Sequence, residues 1–164
     1  MQERNEPDII TREGFAAAAA SLERLLLTAS YGVLHNWDAA SDAVQSALLK
    51  AWRGRRSVKD AAKFKPWLVK IAVNESKSIA RRGFTAELTE PLAEQSADPD
   101  VRLDVQQAVD NLPERYRLPV MLFYYEDMTV ADIAAALNLP RGTVVSLLHR
   151  GREQLRKELK DYGV

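Results

Sequence analysis

Apolar spacing constrains the fold of this chain most, because apolar residues recur at three- and four-residue steps rather than in alternation. The β-branched runs typical of strands are absent from the sequence. We therefore predict an all-α protein of two small helical domains joined by a flexible acidic linker. The predicted helices span residues 12–34, with a break near Gly32, and residues 39–53, 65–82, 100–111, 113–126, 129–137 and 141–160.

The domain division follows from residues 83–99, which are acidic, contain two prolines and lack convincing periodicity. Such a composition predicts a linker. We accordingly predict one domain over residues 1–82 and a second over residues 100–164.

Charge is strongly segregated, although the formal net charge of the 164-residue chain is zero. Residues 50–82 carry 11 basic and 2 acidic side chains, and residues 141–160 carry 6 and 2. Residues 83–114 carry 8 acidic side chains and 1 basic side chain. A polyanion such as nucleic acid is the simplest partner for the two basic segments, and an ordinary solvated surface is the alternative. The acidic block would repel DNA or cover a basic surface when DNA is absent.

Several function classes are disfavoured by composition. Without cysteine, the chain has no disulfide, thiolate nucleophile or cysteine-ligated metal, and its two histidines, His35 and His149, are far apart. We find no glycine-rich phosphate loop and no nucleophile–base pair. The first residues lack the basic-then-apolar order of a signal peptide, and charges interrupt the apolar stretch 15–34. We expect a cytoplasmic protein that is not an enzyme and has no cofactor or small-molecule substrate.

The C-terminal half contains the spacing of a helix-turn-helix unit. Thr129 and Asp132 have the spacing of a capping box, Asn138 tolerates the left-handed conformation, and a new helix follows Pro140. The outward side of that helix carries residue types suited to base edges and phosphates: Arg141, Thr143, Ser146, His149, Arg150 and Arg152. A plain antiparallel helical pair with a solvated basic face is the alternative.

The predicted helix 65–82 has two chemically distinct sides. At 3.6 residues per turn, its basic and amide side chains Lys70, Asn74, Lys77 and Arg81 fall opposite its apolar side chains Leu68, Ile71, Ala72 and Ile79. Such a helix can dock on a bundle and follow a phosphate backbone. Phe64 and Trp67, at its start, could stack on unpaired bases or lie in the core. For Glu75, on the apolar side, we expect a partner such as Arg24.

Residues 112–152 closely resemble region 4 of the extracytoplasmic-function (ECF) sigma factors, the smallest class of bacterial sigma subunits. The resemblance rests on the sequences Leu-Pro-Glu-Arg-Tyr-Arg, Tyr-Tyr-Glu-Asp-Met-Thr and Gly-Thr-Val-Val-Ser-Leu-Leu-His-Arg. Residues 42–52, with Asp-Ala-Val-Gln and a final Trp, and residues 64–75, with Phe-Lys-Pro-Trp-Leu, resemble region 2 of the same family. Together, the matched segments cover most of the chain.

The resemblance implies a factor that brings core RNA polymerase to promoters and opens DNA. In the family, region 2 grips the β′ clamp helices and melts the minus-10 element, while region 4 binds the β flap and reads the minus-35 element. Promoter DNA and core polymerase are therefore the expected partners. Family members are often held inactive by an anti-sigma protein, which makes such a protein a third candidate partner.

The resemblance also implies a role for individual residues. Residues expected at the minus-35 element are Arg141, Thr143, Val145, Ser146, His149, Arg150 and Arg152. Residues expected at the minus-10 element are Lys59, Asp60, Lys63, Lys70, Asn74, Lys77, Arg81 and Arg82. Residues expected to bind polymerase are Asp42, Gln45, Leu49, Lys50 and Trp52.

The sequence departs from the family pattern at three positions. Val145 and Leu147 are apolar where many members have basic residues, and Ser46 stands at a position that is often acidic. Fewer phosphate contacts should weaken promoter binding and its salt dependence. Val145 could instead touch a thymine methyl group, or this surface could serve a protein partner.

A helix-turn-helix repressor or response-regulator output module is the competing function. Such proteins share the second half but do not need the helices at 42–52 and 64–75. They usually dimerise, whereas a monomer that binds core polymerase favours the sigma interpretation.

Overall fold

A computed structural model of the chain describes residues 7–83 and 99–161, with side chains from residue 104 onward in the second range. The predicted linker therefore lies almost wholly outside the described residues. Within them every regular element is helical, which confirms the all-α prediction. The α-helices are α1 (Arg12–Ser21), α2 (Glu23–Leu34), α3 (Trp37–Gly54), α4 (Phe64–Arg81), α5 (Pro99–Asn111), α6 (Glu114–Tyr124), α7 (Val130–Leu137) and α8 (Arg141–Asp161). Two short 3-10 turns, Arg55–Ser57 and Ala61–Lys63, connect α3 to α4.

Local sequence signals explain where several of these helices begin and end. Asn36 caps α3 by accepting a hydrogen bond from the Ala39 amide, and Thr129 caps α7 by accepting one from the Asp132 amide. Asn138 adopts the left-handed conformation after α7, with φ 54° and ψ 49°. The predicted start and end of the first helix of the helix-turn-helix unit are thus confirmed.

The predicted break of the first helix is wrong in position. The helix is interrupted at Leu22, whose ψ of 3° and bond from its amide to the Ala19 carbonyl form a tight turn. Gly32 instead lies inside α2, where a Cβ atom would stand 3.0 Å from Cδ1 of Leu118. A side chain here would press on the end of Leu118, so Gly32 marks a close approach of two helices rather than a helix end.

Helices α2, α3 and α4 pack together in the first half of the molecule, residues 7–83. Their contact buries Leu26, Ala47 and Leu68 completely. Phe15 of α1 joins this bundle edge-on, with its ring centroid 5.3 Å from that of Trp52 and 6.1 Å from that of Phe64.

Helices α5 to α8 form the second half, residues 99–161, in which α8 packs on α6. Gly151 of α8 lets the two helices approach closely, because a Cβ atom there would lie 2.7 Å from Cγ2 of Val120. Val144 and Leu148 are buried on the same side of α8, so its other sides are left for solvent.

The two halves also pack against each other, α2 against α6 and α4 against α7. We call these two helix contacts the seam. A single apolar cluster includes buried residues of both halves, such as Leu26 and Leu68 from the first and Leu122 and Ile133 from the second. A smaller cluster joins Tyr31 and Ala40 to residues of α5 and α6. Apolar burial therefore holds the described halves together.

A buried guanidinium supplies hydrogen bonds at the seam. Arg117 of α6 is 8% exposed, and its Nε donates to the Gly32 carbonyl across the seam at 3.1 Å. Its Nη1 donates within its own half to the carbonyls of Leu112 at 2.9 Å and Asp110 at 3.3 Å. Burial lowers the pKa of Arg117 from its ordinary value, but guanidinium remains charged at neutral pH.

Two carboxylates of the second half accept hydrogen bonds from the first. Asp110 accepts from the Tyr31 hydroxyl at 3.1 Å, and Glu126 accepts from the Thr28 hydroxyl at 2.7 Å. Burial, together with the Asp110 carboxylate, raises the pKa of Tyr31 above its ordinary value, so the phenol stays protonated and can donate. Arg24 also reaches Glu126, at 3.4 Å.

We expect Arg117→Ala to destabilise the protein by about 3 kcal/mol, because buried carbonyls lose charged donors and a cavity remains. Urea denaturation followed by circular dichroism measures this change.

Arg115→Ala is the matched control, since Arg115 is exposed and only lies over the Tyr116 ring, 4.7 Å from its centroid. Its effect should stay below about 1 kcal/mol. Equal losses for both variants would contradict the role assigned to Arg117.

Candidate nucleic-acid and polymerase interfaces

The outer side of α4 carries a strip of polar side chains, Lys70, Asn74, Lys77 and Arg81, which we call the basic strip. All four residues are exposed. Leu68 and Ala72, on the other side of the helix, are completely buried. The two-sided character predicted for this helix is therefore present, and burial of the apolar side in the bundle turns the cations outward.

The segment before α4 and the end of α4 add further exposed polar groups. Asp60 accepts a hydrogen bond from the Ala62 amide at 3.0 Å, which fixes the second 3-10 turn. Lys59, Asp60 and Lys63 are exposed, as is Arg82 at the end of α4. The three cations suit phosphates, while the Asp60 carboxylate, partly used by the turn, can accept hydrogen bonds from base edges.

The two aromatic residues at the start of α4 differ in accessibility. Phe64 is 6% exposed and packs against Phe15, so it belongs to the core. Trp67 is partly buried, with its ring 5.9 Å from that of Phe64. Trp67 alone of the pair offers part of an aromatic face to the surface.

The helix-turn-helix unit presents α8 with its predicted contact side outward. The residues predicted for the minus-35 element are all exposed, namely Arg141, Thr143, Val145, Ser146, His149, Arg150 and Arg152. Arg152 is oriented by a hydrogen bond that its Nη1 donates to the Tyr124 hydroxyl at 3.2 Å. A helix that begins just after a tight turn and exposes one side has the arrangement that enters a major groove.

The outer face of α3 is mixed in chemistry. Asp42, Gln45, Leu49 and Lys50 are exposed, and Leu49 retains 61% of its accessible surface. Trp52 is partly buried beneath the guanidinium of Arg55, which lies 3.4 Å from the ring centroid. Leu49 supplies an apolar contact point among polar groups on this face.

Glu75 does not have the partner predicted from the sequence. It is 8% exposed and pairs with Lys50 of α3 rather than with Arg24, which pairs with Glu126. The helix contact between α3 and α4 brings Lys50 to Glu75, and no pattern along the chain could show that contact. Lys50 thus has a structural partner as well as an exposed position.

Sequence reasoning missed the contribution of α1 to this surface. An open depression of about 440 Å³ lies between α1 and α3, and it is lined by Arg12, Phe15, Ala16 and Trp52. The alanine-rich composition of α1 predicts packing and says nothing of this position. Proximity of Phe15 to Trp52 became visible only with the fold.

Within residues 7–83 and 99–161, no group of three or more His, Asp or Glu side chains could hold a metal ion. None of the helices described is both long and apolar enough to cross a membrane.

Comparison with protein families matches both halves. Residues 19–83 match the model for sigma-70 region 2, and residues 102–155 match the model for sigma-70 region 4. The ECF RNA polymerase sigma factor SigW of Bacillus subtilis is 34% identical over 151 residues, which cover 80% of this chain and 81% of SigW. SigL of Mycobacterium tuberculosis, also an ECF sigma factor, is 31% identical over 92% of this chain and 96% of its own length.

Solved structures agree with these matches. The sigma factor RpoE of Bartonella quintana, crystallised with the anti-sigma factor NepR, has a TM-score of 0.78 and 25% identity, covering 90% of this chain and 98% of RpoE. CnrH, solved with the cytosolic domain of CnrY, shares the fold with a TM-score of 0.69 and 20% identity, over 92% of this chain and 90% of its own. With both regions matched in order along most of its length, the chain belongs to the family of ECF RNA polymerase sigma factors.

Proposed function

We propose that this sigma factor uses α3 to hold core RNA polymerase, the basic strip of α4 to hold the minus-10 element, and α8 to read the minus-35 element. The observation that carries the proposal is the exposure of all the polar residues predicted for these roles, although the two halves are packed together. The family relationship supports the same division of labour.

In the second half, cations and hydroxyl groups share the exposed side of α8. Arg150 can donate two parallel hydrogen bonds to guanine or to a phosphate, while Ser146 can donate to or accept from a base edge. Arg141 lies in the first turn, near the place where a phosphate would meet the helix N-terminus. Val144 and Leu148 are buried beneath them, and α8 packs on α6 and α7, so these groups move as one unit.

In the first half, the basic strip can follow the backbone of a melted strand. Lys70, Lys77 and Arg81 supply three cations along one side of α4, and Asn74 supplies an amide between them. Such contacts are independent of sequence. Lys59 and Lys63 extend the same charge toward the segment before α4, which the family relationship associates with an extruded base.

The role is one of binding and strand opening. The free energy for opening comes from contacts with unpaired DNA and with polymerase, so no chemical step by this chain is needed. DNA and polymerase as partners place its action in the bacterial cytoplasm. An anti-sigma protein is a further proposed partner, since RpoE of Bartonella quintana was crystallised with one.

Binding both promoter elements requires the seam to open. Elements named minus-10 and minus-35 lie about 25 base pairs apart, which is roughly 85 Å of B-form DNA. A compact globule of this size has a radius of gyration of only about 15 Å. With α2 against α6 and α4 against α7, the halves are too close to reach both elements. Polymerase binding must therefore separate them.

Transcription reconstituted with core polymerase on a random promoter library tests the proposed function. The chain should select two conserved promoter elements, and Arg150→Ala should weaken the minus-35 contribution by about 1–3 kcal/mol while core binding is unchanged. Arg156→Ala is the matched control, because Arg156 is exposed on the same helix but pairs with Glu153 at 3.0 Å. A chain that fails to bind core polymerase, or selects no sequence, would refute the proposal.

The double variant Lys77→Ala with Arg81→Ala should impair strand opening more than polymerase binding, because two phosphate contacts are lost. The salt slope of open-complex formation should become shallower by about two. Permanganate reactivity of minus-10 thymines, measured against salt concentration, reports this change. Lys157→Ala with Arg156→Ala removes the same charge elsewhere and should leave the slope unchanged; an equal effect would point to net charge alone.

Opening of the seam can be followed by fluorescence energy transfer. The chain lacks cysteine, so Ala20→Cys in α1 and Gln107→Cys in α5, both exposed positions, give two specific labelling sites. Energy transfer should fall when core polymerase is added to the labelled protein. It should stay high in the control, in which the polymerase has first been saturated with unlabelled protein. Unchanged transfer in a complex shown to transcribe would contradict the opening.

A further inference from the structure

Three large apolar side chains remain well exposed among the residues described: Leu49 at 61%, Val145 at 52% and Tyr124 at 46%. Leu49 belongs to the proposed polymerase surface, and the Tyr124 hydroxyl accepts a hydrogen bond from Arg152. Val145 has neither explanation. It lies in the second turn of α8, where Val144 and Leu148 are buried and Leu147 is partly buried.

An isolated exposed valine on a protein surface would need no explanation, but Val145 lies between residues proposed to contact DNA. Arg141 lies one turn before it and His149 one turn after it, and both are exposed. Helix propensity does not favour valine here, since its branched side chain loses rotamer freedom in a helix. An apolar group therefore stands within the side of α8 proposed to face DNA.

The surface beside Val145 is open to an approaching base pair. Apart from its chain neighbours and the backbone of its own helix, no atom lies within 4 Å of the point where a Cβ atom would stand on Gly142, in the first turn of α8. Within the major groove, base pairs present donors and acceptors together with one apolar group, the C5 methyl of thymine. Valine cannot hydrogen-bond, so that methyl group is the feature of the groove that it complements.

We propose that Val145 is a specificity-determining residue that packs its methyl groups against a thymine methyl in the minus-35 element. The inference rests on the proposed function of α8 and adds the chemical group that this position selects. Val145 then prefers thymine by apolar contact, while neighbouring polar groups supply hydrogen bonds. Uracil, which differs from thymine only by lacking that methyl group, is the diagnostic probe.

The test uses holoenzyme assembled from core polymerase and the full chain, on a promoter selected from the random library. Each minus-35 thymine is replaced singly by deoxyuridine, and the dissociation constant is measured. Wild-type holoenzyme should bind about fourfold more weakly at one such position, the effect of exposing one methyl-sized apolar group. At the other thymines the ratio should stay near one.

Variants assign the effect to Val145. Val145→Ala should bring the thymine-to-uracil ratio at that position close to one, and Val145→Ile, which keeps the branched apolar surface, should retain most of it. Gln107→Ala changes an exposed residue of α5 outside the proposed interfaces and should keep the full ratio.

The outcomes separate this inference from the function beneath it. Selection of a minus-35 element without thymine, or equal binding of thymine and uracil at every position, overturns the inference while sequence-specific transcription still supports the sigma role. A ratio that survives in Val145→Ala also overturns it, because another residue then reads the methyl group. Unchanged promoter binding by Val145→Ala points to a protein partner and likewise overturns it. Absence of any selected promoter removes both the inference and the proposed function.

Discussion

The close approach of α2 and α6 is the constraint from which the rest of the described structure follows. At Gly32 a Cβ atom would stand 3.0 Å from Cδ1 of Leu118, and Arg117 donates a hydrogen bond to the Gly32 carbonyl. Apolar residues of both halves complete the contact. Because the apolar sides of α4 and α8 are already used in packing, the cations of both helices are left on the outside.

A promoter-binding protein needs rigid binding surfaces, and it needs to move those surfaces relative to one another. In this arrangement the two needs are met by different contacts. Each proposed binding side is formed by a helix that packs on its own half, α4 on α2 and α3, and α8 on α6. A change of partner therefore requires the halves to move as bodies and leaves the helices intact. Separation of the halves would exchange polar contacts, such as that of Thr28 with Glu126, for water and would also expose apolar residues of the shared cluster.

Sequence predicted those features that depend on neighbours along the chain. The cap at Thr129, the left-handed Asn138 and the two sides of α4 each arise from local chemistry, and they were correct. It failed where distant residues meet. From the sequence, Gly32 suggests a helix break, but in the structure it lies inside α2 against Leu118. The partner of Glu75 depends on the packing of α3 on α4. The break at Leu22 carries neither glycine nor proline, so no sequence signal marks it. The division into residues 1–82 and 100–164 stays a prediction.

The seam has a consequence for how this factor shares a limited supply of core enzyme with rival specificity subunits. When only an open fraction of molecules can bind, the apparent dissociation constant equals the intrinsic one divided by that fraction. A substitution at Gly32 or Thr28 that alters the open fraction would change the share of core polymerase bound by this sigma factor. It would do so without changing any residue proposed to contact the polymerase. Natural selection could thus adjust the strength of a whole regulon through interior packing, while the promoters themselves stay unchanged.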